Sequence, residues 1–176
     1  MKPDVEFIAV DSTPELIHQL VTKSQQEHIK EFTPRDSSYR FKTIKTTNNW
    51  LAEEREVHWL IGKNNDLAGI IWYRRAEASI KDVDINMETF AIRLYEGYTG
   101  KGLARPFMKQ SLEIYNKRKV LNSKPLNLIW LETESDNFIA RNLYEKFGYE
   151  VCKTENGRVT MVLPVSTQLK ILSNLQ

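Results

Sequence analysis

Glu96-Gly97-Tyr98-Thr99-Gly100-Lys101-Gly102-Leu103-Ala104 joins a stretch that reads as a strand to one that reads as a helix. Unpaired backbone N–H groups at a helix start, with the helix dipole behind them, attract anions. Glycines let the backbone approach phosphate oxygens with no Cβ in the way, and Lys101 adds a positive charge. Two familiar nucleotide loops fail here. A Walker A loop places its second glycine five positions after its first; Gly97 lies only three before Gly100, and Gly102 stands where a Mg²⁺-binding hydroxyl belongs. A dinucleotide fingerprint starting at Gly100 would need its third glycine at Arg105. A plain tight turn is the other explanation of the glycines.

Proton transfer would need acids and bases nearby. Glu88 and Asp84 share strand parity just before the turn, and Glu132 ends the next strand; each is a candidate base or an ordinary rim acid. His18, His28 and His58 show no metal-ligand spacing. Cys152, inside a short strand, reads as a small core residue rather than a nucleophile.

The elements that must position these groups follow from periodicity and punctuation. Val5 to Val10 alternates as a strand, and Thr13-Pro14-Glu15 opens a helix carrying Leu16, Ile17, Leu20 and Val21 on one face. The pattern breaks from Glu31 to Arg40, and a second helix is expected over about Thr43 to Glu54. Val57–Ile61 and Leu67–Arg74 flank turn chemistry as a hairpin. A strand over Met87–Tyr95 leads into the glycine turn. An amphipathic helix then runs to about Val120, with Pro106 tolerated in its first turn. Leu126–Glu132 reads as a strand. Asn137–Phe147 reads as a helix with Ile139, Ala140, Leu143 and Phe147 as its core stripe, stopped by Gly148. Asn156-Gly157 joins two final strands, and residues 165–176 form a terminal helix or tail.

The 176 residues are 41% hydrophobic and 27% charged, a composition that supports one domain with a full core. No apolar run is long enough for a membrane helix, and the first residues lack a secretory h-region. A single cysteine excludes an internal disulfide and fits a cytoplasmic protein. Net charge is +2, too small to argue for nucleic acid, which is not expected as a partner, yet Arg93 to Lys124 holds eight bases against Glu96 and Glu113. That segment is either a solvated face or the neighbourhood of a polyanion.

Thr99-Gly100-Lys101-Gly102-Leu103-Ala104 resembles the acetyl-CoA pyrophosphate loop of the GNAT superfamily, Arg/Gln-x-x-Gly-x-Gly/Ala, with Thr99 departing from the first position. Asn137-Phe138-Ile139-Ala140-Arg141-Asn142-Leu143-Tyr144, continuing to Gly148-Tyr149, is similar to the family's Asn-x-x-Ala-x-x-x-Tyr-x-x-x-Gly-Phe segment. Seven residues apart, Asn137 and Tyr144 share a helix face about 10 Å long. The resemblance implies an α/β (α+β) GNAT fold over residues 1–176. Its mixed, mostly antiparallel sheet of about seven strands has helices on both faces and two splayed central parallel strands. It implies acetyl-CoA as donor and no metal. The pyrophosphate would lie on the backbone of Gly100, Lys101, Gly102, Leu103 and Ala104 beside Thr99. The pantetheine would pair with the strand near Ile92 and Leu94 and with the Asn137 amide.

The implied reaction is direct acetyl transfer to a small-molecule or peptide amine, by a monomer or homodimer. Tyr144 would be the acid that protonates the leaving sulfur, with Glu88 as first choice of base, acting through a water. The family's acceptor side maps to Gln19–Glu54, with Phe32, Tyr39, Phe41 and Trp50, and to the Glu155–Arg158 turn. Nine acids and eight bases in the first 55 residues give no charge preference there. The alternatives are a catalytically silent acyl-CoA-binding or regulatory module and, less well matched, an ATP- or NAD-binding protein.

Overall fold

The computed structural model describes residues 5–75 and 87–173, with side chains from Ile8 onward. Its elements are β1 (Val5–Ala9), α1 (Pro14–Lys23), α2 (Glu27–Phe32), a π-helical turn (Asp36–Arg40), α3 (Ile44–Ala52), β2 (Arg55–Gly62), β3 (Leu67–Arg75), β4 (Met87–Leu94), α4 (Ala104–Leu121), β5 (Leu128–Glu134), α5 (Phe138–Phe147), β6 (Glu150–Glu155), β7 (Arg158–Leu163) and α6 (Val165–Ser173). The strands form a seven-stranded mixed sheet in the order β1-β2-β3-β4-β5-β7-β6. β4 and β5 run parallel, pairing at Met87–Leu128, Glu88–Ile129 and Thr89–Trp130, whereas β1–β2, β5–β7 and β6–β7 are antiparallel. This is the GNAT architecture expected above. No described helix is long and apolar enough to cross a membrane.

The chain divides into two compact units. One runs to Trp72 and includes Ile92–Leu103; the other comprises Tyr73–Ala91 and everything from Ala104. In the first, Thr13 caps α1 with Pro14 in its opening turn, and the Gln19 side chain ties α1 to the β2–β3 turn. Gln19 donates to the Asn65 carbonyl at 2.9 Å and accepts from Leu67 N–H at 2.7 Å. Phe41, Trp50 and Trp72 pack edge to face, with Phe41–Trp50 centroids at 4.8 Å and Trp50–Trp72 at 5.3 Å. Two of the four aromatics expected at the acceptor side, Phe41 and Trp50, are therefore core; Phe32 and Tyr39 are exposed.

In the second unit α4 buries Phe107, Met108, Leu112 and Tyr115, but also Ser111, Asn116 and Lys119. Each polar member has a partner: Ser111 with the Tyr73 phenol at 3.0 Å, Asn116 with Gln168 of α6 at 3.3 Å, and Lys119 with Glu88 of β4. Asn156 and Gly157 both take positive φ in the β6–β7 turn, and Gly148 caps α5 at φ +116°.

Two expectations are corrected. Ile139 is 88% exposed, because α5 buries Tyr144 and Phe147 and the face through Ile139 turns to solvent. Cys152 is exposed too. Its thiol donates to the Thr160 carbonyl at 3.4 Å, and partial desolvation pushes its pKa up, which keeps it a thiol.

Candidate active site

Within the first unit the glycine turn is held at its entrance. Tyr95 N–H donates to the Ala68 carbonyl at 3.0 Å, and its ring is fully buried. Burial first, and the nearby Asp36 charge second, drive the Tyr95 phenol far above its ordinary pKa. Tyr98 then lies over Gly62, where a Cβ would sit 2.2 Å from the phenol oxygen. Beyond it Gly100 and Gly102 adopt φ of +71° and +72°, and a Cβ at either would meet nothing within 4 Å. The glycines therefore answer to a left-handed backbone and leave its outer surface open. Left-handed residues alternating along a turn make a concavity of N–H groups, a form suited to phosphate oxygens. Thr99 and Lys101 are exposed on this turn and Leu103 is buried. In sequence the turn runs straight into Ala104, where α4 opens with no acid in its first turn.

Ile92 and Leu94 of β4 are half-buried. Gly69 of β3 supports them closely, since a Cβ there would meet the Arg93 carbonyl at 2.4 Å. Two side chains to which the sequence assigned no such role secure the strand's end. Gln26 accepts from Glu96 N–H at 3.0 Å, and His28 Nε2 lies 3.3 Å from the Leu94 carbonyl.

Asn137 and Tyr144 lie in the second unit. Asn137 caps α5, its Oδ1 accepting from Ala140 N–H at 3.1 Å, so the amide NH₂ remains the part able to meet a ligand. Tyr144 is 8% exposed within an aromatic group, 6.4 Å from Phe90 and 5.7 Å from Tyr149 between centroids. Burial, reinforced by Tyr73 and Tyr144, pushes the Tyr149 phenol well above its ordinary pKa, so it stays neutral.

Of the candidate bases, Asp84 lies outside the described residues. Glu132 is exposed and pairs with Arg158 at 3.5 Å. Glu88 is buried and accepts from Lys119 Nζ and Asn127 Nδ2 on Oε1 and from the Tyr115 phenol on Oε2. Three donors occupy most of the lone-pair sites of a carboxylate.

A second buried carboxylate, in the first unit, escaped the sequence reading. Asp36, at the start of the π-helical turn, accepts from Arg40 Nη1 at 2.8 Å and from Arg93 Nε at 2.5 Å. Both guanidinium groups lie over the Trp72 ring, Arg93 at 4.9 Å and Arg40 at 5.8 Å from its centroid. A signal was present but averaged away: residues 33–47 hold four bases, Arg35, Arg40, Lys42 and Lys45, against Asp36 alone.

Comparison with known proteins agrees with this architecture. The structure is similar to spermidine N-acetyltransferase from Vibrio cholerae, solved with CoA and spermine, at 17% identity and a TM-score of 0.70, covering 94% of this chain and 98% of that one. It is also similar to the ribosomal-protein-S18-alanine N-acetyltransferase of Escherichia coli, at 19% identity and a TM-score of 0.62, covering 90% and 93%. At such identities the likeness speaks to the fold. By sequence, no curated protein matches the chain. The model of the acetyltransferase (GNAT) family matches residues 19–149, about three quarters of the sequence. The chain belongs to the GNAT acetyltransferase family.

Proposed function

We propose that the protein is an N-acetyltransferase that moves acetyl from acetyl-CoA directly to a primary amine. The observation that carries this reading is the glycine turn, left-handed at Gly100 and Gly102 and open above both, in a chain of this family. Acetyl-CoA would supply the activated thioester. In this reading the backbone from Gly100 to Ala104, with Thr99 and Lys101 beside it, holds the pyrophosphate. Ile92 and Leu94 offer backbone groups to the pantetheine, and the Asn137 amide donates to the same arm. The short β4–β5 ladder, three pairs long, supports a role for the backbone beyond it.

In the transfer, the amine nitrogen forms a bond to the acetyl carbon, the C–S bond breaks, and the sulfur takes a proton from Tyr144 Oη. A thiol of pKa about 8.5 and a phenol of about 10 are close enough for that exchange. The amine's own proton must leave first, since an alkyl ammonium has a pKa of about 10. Glu88 is engaged by three donors and is assigned here to anchoring β4 on α4. Solvent then receives the amine's proton. If so, log kcat/KM for the amine climbs with unit slope toward pH 9. A plateau reached near pH 6–7 would return the base role to Glu88 or to Glu132.

The primary test is a thermal melt with acetyl-CoA, CoA, ATP and NAD⁺ in parallel. A ligand at a hundred times its Kd stabilises by about 2.7 kcal/mol, roughly 5–10 °C for a chain this size. A shift with CoA and acetyl-CoA alone supports the reading. No shift with either, or a larger one with ATP, removes it. The occupied state of Glu88 favours one second reading, a silent acyl-CoA-binding module, which would show the shift without thiol release in an amine screen.

A further inference from the structure

We propose that the acceptor amine belongs to a molecule that also carries a carboxylate, a free amino acid, and that Arg40 and Arg93 recognise that carboxylate. This rests on the transferase reading above and adds the substrate class. Asp36 is 1% exposed by its side chain and has both oxygens committed, one to each guanidinium. Two fixed positive charges thus share one negative charge, leaving an excess of one among the described residues. The excess is partly open, because the side chains of Arg40 and Arg93 are 30% and 15% exposed.

The guanidinium groups are also held in place. Arg93 spends Nε on Asp36 and Nη1 on the Ile92 carbonyl at 2.8 Å, while Arg40 spends Nη1 on Asp36, so among the described residues each retains an Nη2 with two N–H donors. Cation–π contact with the Trp72 ring, at 4.9 Å for Arg93 and 5.8 Å for Arg40, adds to this restraint. Rigid guanidinium forks are matched in geometry to a flat carboxylate, which accepts in pairs.

Position links this cluster to the transfer. Arg93 lies between Ile92 and Leu94, the backbone assigned to the pantetheine arm. Asp36 and Arg40 bracket a π-helical turn closed by Phe41 N–H on the Asp36 carbonyl at 2.8 Å, a local winding frequently found at functional sites. The surrounding segment is basic, with four bases to one acid over residues 33–47. A polyamine would meet this surface with like charge, although a fold relative was solved with spermine.

The test is a thiol-release assay with acetyl-CoA, run on the twenty amino acids, their carboxamides and spermidine. The proposal expects at least one amino acid to exceed its own carboxamide by ten- to a hundredfold in kcat/KM, with spermidine poorer still. It further expects Arg40→Gln to raise KM for that acid by a similar factor, Arg40→Lys to recover part of it, and KM for acetyl-CoA to stay put. Equal use of acid and carboxamide, preference for spermidine, no turnover of any amino acid, or an equal loss for both members of the pair in Arg40→Gln would each overturn it. The melt with CoA separates the two levels. A CoA shift combined with any of those outcomes removes only the substrate class, whereas no CoA shift removes the transferase reading and this inference with it.

Discussion

Among the described residues, each unit of the molecule buries one well-connected carboxylate, and the two are built differently. Glu88 is matched by one ammonium, one phenol and one amide, so its network is neutral and closed. Asp36 is matched by two guanidinium groups, so its network carries a surplus charge and unspent donors. A closed neutral network has finished its chemistry when the protein folds. An overcharged one has capacity left for a solute, and this difference, more than burial itself, separates the Glu88 anchor from the recognition site proposed at Arg40 and Arg93.

The comparison can be broken most forcefully at Glu88. Glu88→Gln leaves Lys119 buried without a counter-charge and is expected to lower stability by about 3–5 kcal/mol, read as a shift in urea midpoint at constant slope. Adding Lys119→Met in that background should recover part of the loss, since it removes the buried ammonium left without a counter-charge. Failure to recover would mean that Glu88 has work outside the pair. Tyr144→Phe should leave the CoA melt unchanged and lower turnover ten- to a thousandfold, about 1.4–4 kcal/mol in the barrier; unchanged turnover would remove Tyr144 as the acid.

Gly69→Ala sharpens the comparison from the backbone side. Its Cβ would press on the Arg93 carbonyl, an atom with no side-chain freedom, and should destabilise by about 1–3 kcal/mol while weakening CoA binding. The smallest effect belongs to Arg40→Gln. With one charge in surplus and Arg40 30% exposed, stability should change by less than about 1 kcal/mol. A loss as large as that of Glu88→Gln would make the two networks alike and Arg40 a structural residue.

The parts of the fold that were legible carried local chemistry. Asn156-Gly157, Gly148, Pro14 and the 100–102 glycines each name a backbone conformation or a helix end, and each lies where the residue types demand. What escaped depends on partners distant in sequence. Nothing near Lys119 announces that Glu88, 31 residues earlier, will draw it inside. Asp36 looks like any surface acid until Arg93, 57 residues on, reaches it. Ile139 misled in the opposite sense, because apolar type and helical period nominate a face without saying whether anything packs on it. In the candidate site the glycine turn was readable, because a left-handed backbone dictates glycine. The Asp36 cluster proposed for the acceptor relies on side-chain charge, which averages to nearly nothing over the first 55 residues.

Tyr98 resting on Gly62 has a consequence for the energetics of the anion binding proposed at the neighbouring turn. With no Cβ at position 62, the ring closes onto the end of β2, and its N–H is satisfied by the Tyr95 carbonyl at 3.0 Å. The chain entering Gly100 and Gly102 has therefore surrendered its conformational freedom during folding. Association need not pay for ordering that entrance again, so affinity falls mainly on phosphate contacts and on the solvent they release. A bulkier residue at 62 would unseat the ring and return the disorder to the binding step. It would surface in calorimetry as a larger entropic penalty, with the anion-facing residues themselves unaltered.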